Sequence, residues 1–122
     1  MSNIQKEDRP DRFSVKPEVV DDVLVVTVQG EIDHAVKDLL SQALLSEDGT
    51  VPPPQIVADL SGVTFMDSSS INVFITAHQR VSNAQGWLRI AGAQKSVMRL
   101  LQLVGIDQII DCPPTVEQAL NT

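Results

Sequence analysis

The stretch "VLVVTVQG", residues 23–30, carries an aliphatic side chain at five of its first six positions. Read as a strand, it sets Leu24, Val26 and Val28 on one face and Val23 and Val25 on the other, because successive side chains alternate. A strand that is apolar on both faces has no side to offer to water, so it belongs inside a sheet. Aromatics are scarce: Trp87, Phe13, Phe65 and Phe74, with no Tyr. The core is therefore built from Val, Ile and Leu, as in a sheet packed against helices.

The segments on either side supply edge and cover. Phe13, Val15 and Val19 alternate with polar neighbours, and Pro17 marks that segment as an edge strand. Asp21 and Asp22 make the hairpin turn between the two strands. After "GEID", Asp33 is placed to cap a helix whose apolar face is Val36, Leu39, Leu40, Ala43 and Leu44. That helix stops near "SEDGT", and the loop "VPPPQ" cannot continue it. "IVADL" reads as a buried strand, and the serines after "SGVTFMD" open a helix with the stripe Ile71, Phe74, Ile75 and His78. "WLRIAG" is a fourth strand. "QKSVMRLLQLVG" is a third helix, with Val97, Leu100, Leu101 and Val104 in register and Gly105 as its stop. "QIID" reads as a brief last strand, and Pro114 and Thr115 open a closing helix. Strands alternate with helices after the first hairpin. The expected fold is α/β: one domain over residues 13–122, with a mixed sheet of four to five strands, parallel in its interior, and about four helices.

At 122 residues the chain is long enough for a single core. Residues 1–12 are polar and charged and read as a flexible lead-in with no apolar signal segment. Nine Lys and Arg against 16 Asp and Glu give a net charge of −7, which repels a phosphate backbone and argues against nucleic-acid binding. It suits a partner with a basic face. The single cysteine, Cys112, forms no intramolecular disulfide, and no apolar run approaches a membrane span. A cytoplasmic protein with no membrane contact is the expectation.

Three serines in a row, Ser68, Ser69 and Ser70, follow Asp67 at the predicted helix start. Three readings of them are open. As caps, Ser and Asp oxygens accept hydrogen bonds from unpaired N–H groups of the first turn. As a nucleophile, a serine needs a base and an oxyanion site. His34 and His78 are the only histidines, no G-x-S-x-G elbow is present, and no cluster of metal ligands stands out. Catalysis is discounted, and neither a cofactor nor a metal is expected. As a regulatory site, a phosphoserine brings about −1.5 to −2 charges to a place where free N–H groups and the helix dipole receive them. The fold tolerates such a charge, while a partner that docks on the loop is repelled, with Asp67 adding to the repulsion.

The stretch "IVADLSGVTFMDSSSINVFI" resembles the signature of the STAS domain family, in particular the bacterial anti-sigma factor antagonists. "VVTVQGEID" is similar to the family's first strand and turn, and "LRIAGAQKSVMRLLQLVGID" to its third strand-and-helix unit. The likeness runs from about residue 13 to 120. It implies a non-enzymatic switch. The unphosphorylated antagonist binds an anti-sigma factor that is also a serine kinase and holds ATP, which frees a sigma factor. The kinase phosphorylates the serine after the motif Asp, here Ser68, and the complex dissociates. A serine phosphatase resets it. Asp33 and Asp67 then sit beside the phosphoacceptor, with Ser69, Ser70 and Asn72 on the partner-binding surface.

One residue departs from that pattern: the family's Gly after two serines is Ser70 here. Ser70 is expected to add bulk at the contact, with four outcomes open: slower phosphorylation, a different partner, Ser69 or Ser70 as a secondary acceptor, or no phosphorylation at all. In "VTFMD", Val63 and Phe65 alternate toward the core, which leaves Met66 outward as a hydrophobic contact or tucked under the next helix. Asn72, Thr76 and Gln79 share the polar side of the helix. The alternative function is a constitutive STAS scaffold or adaptor in a stress-signalling or transport complex. A monomer or weak dimer is expected, since the strand near Phe13 leaves an exposed edge.

Overall fold

The computed structural model describes residues 13–45 and 55–121. Within them β1 (Ser14–Val20) and β2 (Val23–Ile32) form an antiparallel hairpin. Its turn residues Asp21 and Asp22 have φ of 53° and 68°. Two left-handed residues in succession match a type I′ turn, whose twist follows that of the strands, and Asp tolerates this region through local hydrogen bonds.

On its other side β2 pairs in parallel with β3 (Gln55–Met66), and β3 pairs in parallel with β4 (Trp87–Ala91), giving the order β1-β2-β3-β4. Parallel neighbours need a crossover. The helices α1 (Lys37–Leu45), after β2, and α2 (Ile71–Asn83), after β3, supply them, and α3 (Lys95–Leu103) and α4 (Val116–Leu120) follow β4. The expected mixed sheet with a parallel interior is present with four strands.

"QIID" is not a strand. Residues 106–108 form a 3-10 turn, and a single parallel bridge joins Arg89 to Asp111. Ile106 and Ile110 are both buried in the core, a spacing of four that suits a helical turn rather than an extended chain. Pro113 and Pro114 then remove the donors a fifth strand needs. The edge of β4 is still partly satisfied: Ile90 N–H donates to Asp111 C=O at 2.9 Å and Gly92 N–H to Pro113 C=O at 3.1 Å.

Both faces of β2 are buried over its apolar first half, Val23–Val26, as its composition requires. Leu24, Val26 and Val28 join Ile56, Ala58, Leu60, Leu88 and Ile90 under Leu40, Leu44, Phe74, Ala77, Val97 and Leu101 from the first three helices. Val23, Val25, Val57 and Ala91 lie beneath Ala119 of α4. Arg89 clasps that short helix by donating to Ala119 C=O at 2.6 Å, and its guanidinium stacks 3.7 Å from the Trp87 ring centroid.

Three apolar positions depart from the periodic reading. Leu39 is 52% exposed because Val36, Leu40, Ala43 and Leu44 already fill the inward stripe of α1. Val104 is exposed because α3 ends at Leu103 and Gly105, with φ of 82°, turns the chain away. Val19 is exposed on the edge strand. His78 is half-buried on α2, and its Nδ1 has no hydrogen-bond partner among the described residues. The lead-in at residues 1–12, the helix end near "SEDGT" and the prolines of "VPPPQ" lie outside the described residues.

Pro17 pairs with Val26 in the β1–β2 register. A two-residue turn closes on the hydrogen-bonded pair Val20–Val23, so residues 18, 16 and 14 also bond to β2 while 15, 17 and 19 face outward. Pro17 therefore costs the hairpin no bond and leaves a gap in the edge that β1 forms among the described residues, where a second strand would otherwise add. Pro17→Val restores that donor and is expected to raise self-association, read as concentration-dependent mass in sedimentation velocity. Sedimentation identical to wild type would show that the proline does not guard the edge.

Candidate functional site

The strands β2 and β3 end side by side at the pair Ile32–Met66, and each runs into an aspartate. Asp33 and Asp67 both have extended backbones and begin 3-10 turns, His34–Val36 and Ser68–Ser70, that lead into α1 and α2. Asp33 Oδ1 accepts from Ala35 N–H at 3.0 Å, and Asp67 Oδ1 accepts from Ser69 N–H at 3.0 Å. The two caps are joined. Asp67 N–H donates to Ile32 C=O at 3.0 Å, and the His34 N–H reaches the Asp67 carboxylate. Parallel pairing thus brings together two helix starts that are 34 residues apart in sequence.

Each serine of the triplet has a different fate. Ser69 is half-buried, and its hydroxyl donates to the Asp67 carboxylate at 2.5 Å. Ser70 is 0% exposed, and its hydroxyl donates to Asp67 C=O at 2.7 Å. Ser68 is exposed, and its hydroxyl is not engaged among the described residues. The Ser69 hydroxyl does most to hold the Asp67 carboxyl below its ordinary pKa; desolvation opposes it, and the N–H groups of Ser69, Ser70 and His34 add smaller lowering effects. Asp67 is ionised at neutral pH, one residue from the free hydroxyl.

Two expectations are corrected here. Ser70 adds no bulk at the surface, because its side chain turns inward to the backbone of Asp67. Phe65 does not face the core: it is 48% exposed, and of the two placements open to Met66 the structure takes the buried one, at 6% exposure. The reason lies in the register. Thr27 pairs with Asp59 but Gln29 with Gly62, and Gly30 pairs with Val63 but Glu31 with Phe65, so β3 carries two extra residues against β2. Each extra residue flips the alternation, and Leu60, Val63 and Met66 enter the core at intervals of three. The sequence signal was Gly62, since glycine inside a strand often marks a bulge. A Cβ on Gly62 would meet Gln29 Cγ at 2.8 Å.

Asn72 and Thr76 line a groove of about 160 Å³ with Ser69 and Val73 of the second helix start and Lys37, Asp38 and Ser41 of α1. Gln79 is exposed further along α2. Among the described residues no three His, Cys, Asp or Glu side chains converge as a metal site, and no helix is long and apolar enough to cross a membrane. Burial, with help from Asp107 and Asp111, pushes the Cys112 thiol up to about 11, far from thiolate chemistry.

A sequence model of the STAS domain matches residues 14–119. The chain belongs to the STAS domain family. It is 26% identical over 105 residues to the anti-sigma-F factor antagonist RsfA of Mycobacterium tuberculosis, covering 83% of this chain and 80% of that one. Its fold superposes on the crystal structure of an anti-sigma factor antagonist from Mycobacterium paratuberculosis with a TM-score of 0.79 and 30% identity, over 92% and 94% of the two chains. It also shares the fold of Bacillus SpoIIAA in its phosphorylated form, with a TM-score of 0.65 and 19% identity over 90% and 97%.

In this STAS domain the ionised Asp67 holds the turn, and the depressed pKa sets the sign of its pH dependence. Its stabilising contribution is complete above the unfolded carboxylate value near 3.9 and disappears as pH falls through the lower folded value. Asp67→Ala is expected to lower stability by about 1 kcal/mol at pH 7, as for a lost N-cap, and to flatten the acid limb below pH 4. Chemical denaturation at pH 7 and pH 3 checks both. An unchanged pH profile in the variant would mean that the Asp67 charge does not anchor this turn.

Proposed function

We propose that this protein is an anti-sigma factor antagonist switched by phosphorylation of Ser68. The observation that carries the reading is the division of labour in the triplet. Ser69 and Ser70 are committed to Asp67, and Ser68 alone presents a free, exposed hydroxyl at a helix start. The family membership and the names of the similar proteins support an anti-sigma factor as the partner.

In this reading the unphosphorylated protein docks its Ser68 end, with Asp33, Asp67, Ser69 and Asn72 around it, onto an anti-sigma factor that is also a serine kinase, and a sigma factor is released. The kinase supplies ATP and transfers its γ-phosphoryl group to the Ser68 oxygen. The product carries about −1.5 to −2 extra charges beside the ionised Asp67. The turn tolerates them because the N–H groups and dipole of the helix start oppose the charge. The docked partner has no such compensation across a desolvated contact, so the complex separates. A serine phosphatase hydrolyses the phosphoserine and restores the binding form. The switch acts in the cytoplasm, where sigma factors meet RNA polymerase.

Titration of the anti-sigma kinase with wild type, Ser68→Ala and Ser68→Asp tests the reading. Wild type and Ser68→Ala are expected to bind alike, and Ser68→Asp at least about tenfold more weakly, roughly 1.4 kcal/mol. Mass spectrometry after ATP turnover is expected to place one phosphate on residue 68 in wild type and none in Ser68→Ala. Equal binding by all three, indifferent to ATP, would instead make the protein a constitutive STAS adaptor.

A further inference from the structure

We infer that Phe65 is the apolar anchor of the Ser68 interface and seats in an apolar pocket with a basic rim on the anti-sigma factor. This rests on the proposed function and adds a residue to it. Phe65 is 48% exposed three residues before Ser68, and the extra residue at Thr64 turns it out of the core where alternation continued from Val63 would have buried it. A bulge that exposes an aromatic ring forgoes the burial that ring could have had inside.

Position decides the occupant. Three residues of chain span at most about 11 Å. A standard interface covers about 800 Å² on each partner, a patch roughly 30 Å across. An interface centred on Ser68 therefore has Phe65 within its footprint. Cover from the same chain is absent there among the described residues: α4 packs on Val23, Val25, Val57 and Ala91, further down that sheet face. The surroundings set the chemistry of the pocket rim. Glu31 pairs directly with Phe65 and is exposed, and Asp33 and Asp67 follow at the strand ends. An aromatic ring inside an acidic border fits an apolar pocket bordered by Lys or Arg, the arrangement in which buried aromatics contribute most to affinity. The other exposed large apolar residues among those described are aliphatic and sit on other elements: Val19 on β1, Leu39 on α1, and Leu103, Val104 and Ile109 at the end of α3 and in the turn after it.

The test is calorimetric titration of the anti-sigma kinase with wild type, Phe65→Ser, Phe65→Leu, Leu103→Ser and Ser68→Asp. Phe65→Ser is expected to weaken binding roughly tenfold or more, Phe65→Leu far less, and Leu103→Ser not at all. Thermal unfolding of Phe65→Ser should match wild type, because the ring is half outside the core. Wild-type affinity in Phe65→Ser, with Ser68→Asp still defective, would overturn the anchor and leave the phosphate switch standing. Equal losses in Phe65→Ser and Leu103→Ser would also overturn it, as a non-specific effect. Full binding by Ser68→Asp would remove the switch itself, and the anchor with it.

Discussion

Burial of both faces of β2 is the constraint from which the rest of the architecture follows. A strand with Leu24, Val26 and Val28 on one side and Val23 and Val25 on the other needs cover twice over. Parallel pairing with β3 meets that need, because each parallel neighbour is reached through a crossover that lays a helix on the sheet. The same pairing makes the strands end together. Asp33 and Asp67 become neighbours only because the chain returns to the bottom of the sheet before starting β3.

That juxtaposition is what gives the serine turn its properties. Asp67 is held by the Ile32 carbonyl through its N–H, by Ser69 and His34 at its carboxylate, and by Ser70 at its carbonyl. A residue fixed at each of its polar groups has little freedom, so the turn that carries Ser68 is held in place, while the Ser68 hydroxyl has no partner among the described residues. A modification there changes the electrostatics of the surface and leaves the packing beneath it untouched. Rigid support beneath a single free hydroxyl is the physical basis of the proposed switch. The exposed ring of Phe65 gives the same end of the molecule an apolar contact as well as a charge.

Much of the fold was legible in the chain because its signals are local and mutually consistent. The hairpin at Asp21 and Asp22, the caps at Asp33, Asp67 and Thr115, and the stop at Gly105 are dictated by what a few adjacent residues can do. The misplaced elements were those whose fate depends on a distant partner. "QIID" alternates well enough for a strand, but Ile106 and Ile110 are drawn into the core four residues apart, and two prolines follow. Leu39 satisfies helical spacing, yet the stripe it borders was already full.

The sequence by itself determined the α/β class, the edge position of β1 and the placement of the three serines at a helix start. These follow from side-chain periodicity, from the donor that proline lacks and from the capping chemistry of short polar side chains. Tertiary structure decided which serine is free and which of Phe65 and Met66 faces water. The first follows from the bonds that Ser69 and Ser70 make to Asp67, and the second from the register between β2 and β3, where β3 holds an extra residue between Val63 and Phe65. A single strand carries no record of how many residues the strand beside it will use to cover the same distance.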